Sequence, residues 1–189
     1  MKRNILMLAA ALFFISCSNS KKEEAENKPK ENPAPVVAAT GNPADEVIGE
    51  YMLLKDALVK EDLAQVNDAA QKISGATEPG SEKIKSIPDS LRSGYNSISS
   101  EIHSRIKALA SAPDLKVKRT IFKDMTSSFR RLAENHGSKN MVIYQQYCPM
   151  AFDNTGANWL SMETKIRNPY LPKTMLKCGK VEDTVKAKN

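Results

Sequence analysis

The chain has 189 residues, 41% hydrophobic and 26% charged, with a formal charge of +6 at pH 7. Those values describe an ordinary folded domain and exclude a collagen-like, wholly disordered or multi-pass membrane chain. Aromatic residues make up only 6% and glycines number 8, which argues against a base-stacking platform or a repeat array.

Lys2 and Arg3 open the chain, and an apolar run from Ile5 to Ile15 follows. A bilayer-spanning helix takes roughly 20 apolar residues, so this run is too short to span and fits a secretory signal. Small Ser16 then precedes Cys17, an arrangement that resembles the bacterial lipobox, although Phe14 stands where Leu is more usual. Residues 1–16 are expected to be a signal peptide and Cys17 the lipid-attachment site. That places the protein in the bacterial envelope, anchored to the membrane by lipid and on the outer membrane. An ordinary signal peptide with an incidental cysteine is the alternative. Removal of Lys2 and Arg3 lowers the formal charge by two, which leaves little to attract nucleic acid.

Residues 17–43 read as the lipid site and a flexible tether. Lys21, Lys22, Glu23, Glu24, Lys28, Lys30 and Glu31 are interleaved with Pro29, Pro33 and Pro35. Such a composition is solvated and buries almost nothing.

The folded body is expected over residues 44–182, with 183–189 a disordered tail; a body of that size suffices for one core. Val47, Tyr51, Leu54 and Leu58 recur at helical spacing. The stripe resumes at Leu63, Val66, Ala70 and Ile73, with Asp62 as an N-cap and Gly75 as a stop. Ala76 to Ser81 reads as a loop. Leu91, Tyr95, Ile98, Ile102, Ile106 and Leu109 mark a second long helix, ending before Pro113. Asp114 caps a third, with Leu115, Phe122, Met125, Phe129 and Leu132 on its apolar face and Gly137 closing it. The expected fold is all-α, an antiparallel bundle of three to four helices. An irregular C-terminal segment containing Cys, Pro and Trp packs on it.

That segment has a different texture. Met141 to Tyr147 reads as a short strand or an extended run, followed by Cys148, Pro149 and Met150 and a turn through Asp153 to Gly156. Trp159, Tyr170, Met175 and Cys178 come later. The string from Tyr147 to Val181 (YCPMA…GANWLS…IRNPYLPKTMLKCGKV) resembles an uncharacterised family of exported bacterial domains. Its members occur as small lipoproteins and fused to membrane-fusion subunits of copper and silver efflux systems. The resemblance extends upstream to the Tyr51–Leu58 helix and the stretch Arg119–Phe122. It implies a heavy-metal context and a heavy-metal efflux membrane-fusion protein as partner.

Cys148 and Cys178 admit two readings. An exported pair is usually oxidised, and a disulfide here closes a loop worth roughly 3.5 kcal/mol by chain entropy. Alternatively Cys148, Met150, Met175 and Cys178 form a set of soft ligands, of the kind that selects Cu(I). Met125 and Met162 read as core filler. His103 reads as a partly buried polar residue, and His136 as a helix-end residue suited to the dipole. Trp159 and Tyr170 read as anchors of the segment. Arg167 and Asn168 can contact a carboxylate or phosphate, with little specificity.

An enzyme is not expected. There is no Walker loop, no H-E-x-x-H helix and no C-x-x-C pair, and a cysteine nucleophile would need one of only two histidines. The expected function is an envelope lipoprotein that binds a soft heavy-metal ion, copper above all, or assists its efflux. The alternative is a non-enzymatic interaction module of an envelope complex, with Cys148–Cys178 as a structural disulfide.

Overall fold

The computed structural model describes residues 41–171 and 175–187. The expected signal peptide, the lipid-attachment residue Cys17 and the tether up to residue 40 lie outside the described residues. Among the described residues, no helix is long and apolar enough to cross a membrane.

Four long helices form the body: α1 (Pro43–Lys60), α2 (Leu63–Thr77), α4 (Asp89–Ser111) and α5 (Leu115–His136). A short α3 (Glu82–Lys85) bridges the second pair. Helix α1 packs on α2 and α5, and α4 packs on the same two, so the four close into a ring. Local chemistry sets the ends. The Asp62 carboxylate accepts from the Gln65 N–H at 3.0 Å, and the Asp114 carboxylate from the Val117 N–H at 2.9 Å. Each satisfies an orphan donor of a first helical turn. Helix α2 runs past Gly75, expected to stop it, and ends at Thr77, whose hydroxyl donates back to the Ile73 carbonyl.

The apolar stripes face inward as their spacing requires. Tyr95, Ile98, Ile102, Ile106 and Leu109 of α4 meet Phe122, Met125, Phe129 and Leu132 of α5 within one core cluster. Lys118 is buried with them, its ammonium donating to the carbonyls of Leu109 and Ala110 at the end of α4. The Leu109 carbonyl also accepts from the Ala112 N–H at 3.2 Å, so the cation adds to the backbone cap of this helix end.

The all-α expectation is overturned by a three-stranded antiparallel sheet. Strand β1 (Ile143–Cys148) lies between β2 (Ala157–Ser161) and β3 (Lys180–Val185). Periodicity hid two of these strands for opposite reasons. Strand β2 is nearly buried on both faces and shows no alternation, while five of the six residues of β3 are exposed. An alternating pattern emerges only where one face alone is covered. Asp183, Thr184 and Val185, expected in a disordered tail, complete β3, and Val185 is buried.

Side chains of the bundle bond to the sheet and to the loop between β2 and β3. The Tyr51 hydroxyl of α1 accepts from the Leu160 N–H of β2 at 3.1 Å and shares a hydrogen bond with Thr126 of α5. The Tyr51 ring lies on Phe122 and Phe129, with centroids 4.9 and 4.5 Å away. Arg130 of α5 donates to Gln145 of β1 and Asp183 of β3, both at 2.6 Å. Arg119 donates to the carbonyls of Pro169 and Leu58 and to Glu61 just past α1.

Two predictions follow from the buried tyrosines. Tyr51→Phe leaves the buried Leu160 N–H without its acceptor, so urea denaturation should show a loss of about 2 kcal/mol. A loss under about 0.5 kcal/mol would show that this hydroxyl does not hold β2. Burial raises the hydroxyl pKa of Tyr51, Tyr95 and Tyr170 above the usual tyrosine value, that of Tyr95 to about 12. The folded state therefore keeps protons that the unfolded chain releases. This contribution is complete below about pH 10 and is lost as pH rises through the folded values, at up to about 1.4 kcal/mol per pH unit for each tyrosine. Melting temperature should fall between about pH 10 and pH 12; a level profile across that range would contradict it.

Candidate functional site

Cys148 and Cys178 are brought together by different routes. Cys148 ends β1 opposite Ala157 of β2 and is fully buried. Cys178 follows the turn that begins at Met175, where its N–H donates to the Met175 carbonyl at 2.9 Å. It is half-buried. The two sulfurs lie 2.8 Å apart, both as free thiols.

Asn168 sets the position of Cys178. Its side chain, 1% exposed, donates to the Cys178 carbonyl at 2.9 Å and accepts from the Tyr170 N–H at 2.8 Å. Its backbone N–H donates to the Leu176 carbonyl at 2.8 Å. One residue thus spans both sides of the loop, and the ligand-contacting reading of Asn168 gives way to a structural one. Gly179 follows at φ 137, where a Cβ would come within 2.9 Å of the Trp159 ring and of the Tyr147 carbonyl. Only glycine fits, and the tight approach brings Cys178 against β1.

The other side of the pair is an unusual turn. In the short α6 (Ala151–Asn154), Phe152, Asp153 and Asn154 all have left-handed backbone, with φ of 51, 56 and 65. Such a conformation costs roughly 1–2 kcal/mol for each residue that carries a Cβ, least for Asn and Asp. Phe152 offsets part of this by packing on Tyr170 at 5.2 Å, with the Lys123 ammonium 4.8 Å from its ring. Met150, just before the turn, donates its N–H to the Cys178 sulfur.

Trp159 and Tyr170 anchor the segment as their type suggests. The indole is fully buried, edge-on to Tyr170, and the Tyr170 hydroxyl donates to the Asn158 carbonyl. The hydrogen bond between the thiols, reinforced by burial, holds the Cys178 thiol above its ordinary pKa.

The four soft residues expected around a metal are gathered unevenly. Met150 is 47% exposed and Met175 half-buried, both in the short stretches that flank the thiols. Two thiolates that share a soft ion at about 2.3 Å and a tetrahedral angle stand roughly 3.8 Å apart. At 2.8 Å the sulfurs leave no room for an ion between them and would have to part by about 1 Å. Among the described residues, no three His, Cys, Asp or Glu side chains gather to hold an ion.

The histidines lie elsewhere. The His103 ring is 3.2 Å from the Ser74 carbonyl and 3.3 Å from Glu78, joining α4 to the end of α2. His136 rests edge-on against Tyr95, and burial lowers its pKa, which favours the neutral ring over the charge expected to suit the helix end. It lines a cleft of about 450 Å³ with Asn42, Pro88, Leu91 and Lys139.

Asn168→Ala removes two buried hydrogen bonds and should cost about 2 kcal/mol in chemical denaturation. Alkylation of Cys178 in the reduced protein should also quicken, because its loop loses the clamp. An unchanged midpoint together with an unchanged alkylation rate would remove Asn168 from this role.

A family model described as "Protein of unknown function (DUF3347)" matches residues 47–141, half of the chain. The match covers the helical ring and stops short of β1, so the string from Tyr147 to Val181 lies outside it. No curated protein and no solved structure matches the chain. On the strength of its helical half, the chain belongs to the family of proteins of unknown function DUF3347.

Proposed function

We propose that this chain is a lipid-anchored, non-enzymatic domain of the bacterial envelope that docks on an envelope complex, its C-terminal segment clasped by a Cys148–Cys178 disulfide. The observation that carries this reading is the 2.8 Å contact between the sulfurs, which must close by less than 1 Å to bond. In an oxidising compartment such a pair is converted to a disulfide. Its 30-residue separation makes the bond worth roughly 3.5 kcal/mol by chain entropy. Export and anchoring rest separately on the apolar run before Ser16 and on Cys17. The class of partner comes from the resemblance to domains fused to membrane-fusion subunits of copper and silver efflux systems.

One observation favours a second reading, soft-metal binding by Cys148, Met150, Met175 and Cys178. The exposed Met150 and the half-buried Cys178 turn soft donors toward solvent beside the second thiol. In this reading Cu(I) is the cargo, and the reduced pair opens to admit it.

The two readings divide on one experiment. The protein is isolated from its own envelope, alkylated without prior reduction, and weighed intact. A mass lighter by two hydrogens, with no alkyl group on either cysteine, is the expected result. Two alkyl groups on Cys148 and Cys178 would overturn the clasp and turn attention to Cu(I) titration. There, loss of tight binding in Cys148→Ser would carry the metal reading, and unchanged binding would end it.

A further inference from the structure

The two sulfurs of the pair are not equivalent to an incoming molecule. Cys148 is fully buried at the end of β1, while Cys178 is half-buried in a surface loop. A sulfur from another protein must approach along the axis of the bond that it breaks or makes. Cys178, half-buried in its loop, is the residue of the pair that another molecule can reach, while Cys148 is enclosed by the core.

We propose that Cys178 is the exchange sulfur of this pair and Cys148 the resolving one, in reaction with a protein that presents an accessible disulfide. This rests on the disulfide reading above and adds to it the order of events and the class of partner. In oxidation, the Cys178 thiolate bonds to one sulfur of the partner disulfide, whose S–S bond breaks and releases a partner thiolate. The Cys148 thiolate then bonds to the Cys178 sulfur, breaking the mixed disulfide and releasing the second partner thiolate. Two electrons pass from the cysteine pair to the partner, and the two thiol protons end on the partner's sulfurs. Reduction runs the same steps backwards, with the incoming thiolate bonding to Cys178 and Cys148 leaving.

Two features of the surroundings suit that order. Asn168 holds the Cys178 carbonyl and Met150 donates its N–H to the Cys178 sulfur, so the exposed sulfur keeps its place while its partner changes. Lys177 and Lys180, both exposed, flank Cys178 and attract a partner with acidic surface around its disulfide.

The test uses the full chain, reduced and then exposed to oxidised glutathione as the probe. The reaction is quenched in acid at intervals and mapped by peptide mass spectrometry, which separates Cys17 from the pair. In the wild type, glutathione should appear on Cys178 first and vanish as the internal disulfide forms. In Cys148→Ala the adduct on Cys178 should persist, and in Cys178→Ala the remaining Cys148 should react at least about tenfold more slowly. Glutathione on Cys148 as early as on Cys178 in the wild type would overturn the proposal, whatever the variants do. An adduct on Cys178 that never closes onto Cys148 would overturn the resolving role and the disulfide clasp, leaving only the exposure of Cys178.

Discussion

The buried hydroxyl of Tyr51 ties the helical bundle to the sheet from inside the core. It accepts from the outward N–H of Leu160 in β2 and is bonded to Thr126 of α5, while its ring lies on Phe122 and Phe129. An edge strand presents unpaired backbone groups that must be met by water, another strand or a side chain. Here a helix of the bundle supplies the acceptor from inside the core. With β2 fixed in this way, β1 becomes the central strand and its last residue, Cys148, is carried into the interior. The buried thiol is thus set by the pairing of β1 with a strand that the bundle itself holds.

The opposite end of the segment is held by polar contacts instead. Arg119 reaches the Pro169 carbonyl, and Asn168 beside it reaches that of Cys178. A buried hydrogen bond contributes only about 1 kcal/mol net, yet leaving one of its partners unmet costs more. Two of the three arginines of α5 therefore act chiefly as position setters: Arg130 for β1 and β3, Arg119 for the loop that ends in Cys178. Trp159 adds apolar packing, fully buried and edge-on to Tyr170.

The helical ring could be read from the sequence because each long helix covers one apolar face and leaves the other wet. Asp62, Asp114 and Gly137 marked their helix ends correctly, as capping chemistry is local. Gly75 misled, because a glycine inside a helix costs only about 1 kcal/mol and the packing of Ile73 and Ala76 outweighs it. The sheet was less legible. Only β1 offered an extended pattern, and its pairing with β3 spans a stretch that no local rule could bridge. At the site, Cys148 and Cys178 were chosen by type and do meet. The roles of Asn168 and Gly179 depend on what surrounds them, and the dipeptide Asn168-Pro169 signals a turn without saying what it holds.

The region that defines the family ends at residue 141, while the cover for its aromatic face begins at residue 143. Tyr51, Phe122 and Phe129 form a socket that the bundle alone leaves unfinished, and the sheet is its plug. Helices cut free of the sheet would bring these rings to water, at a cost of roughly 25 cal/mol for each Å² exposed. The matched half of this chain therefore carries a buried hydroxyl whose strand partner lies outside it.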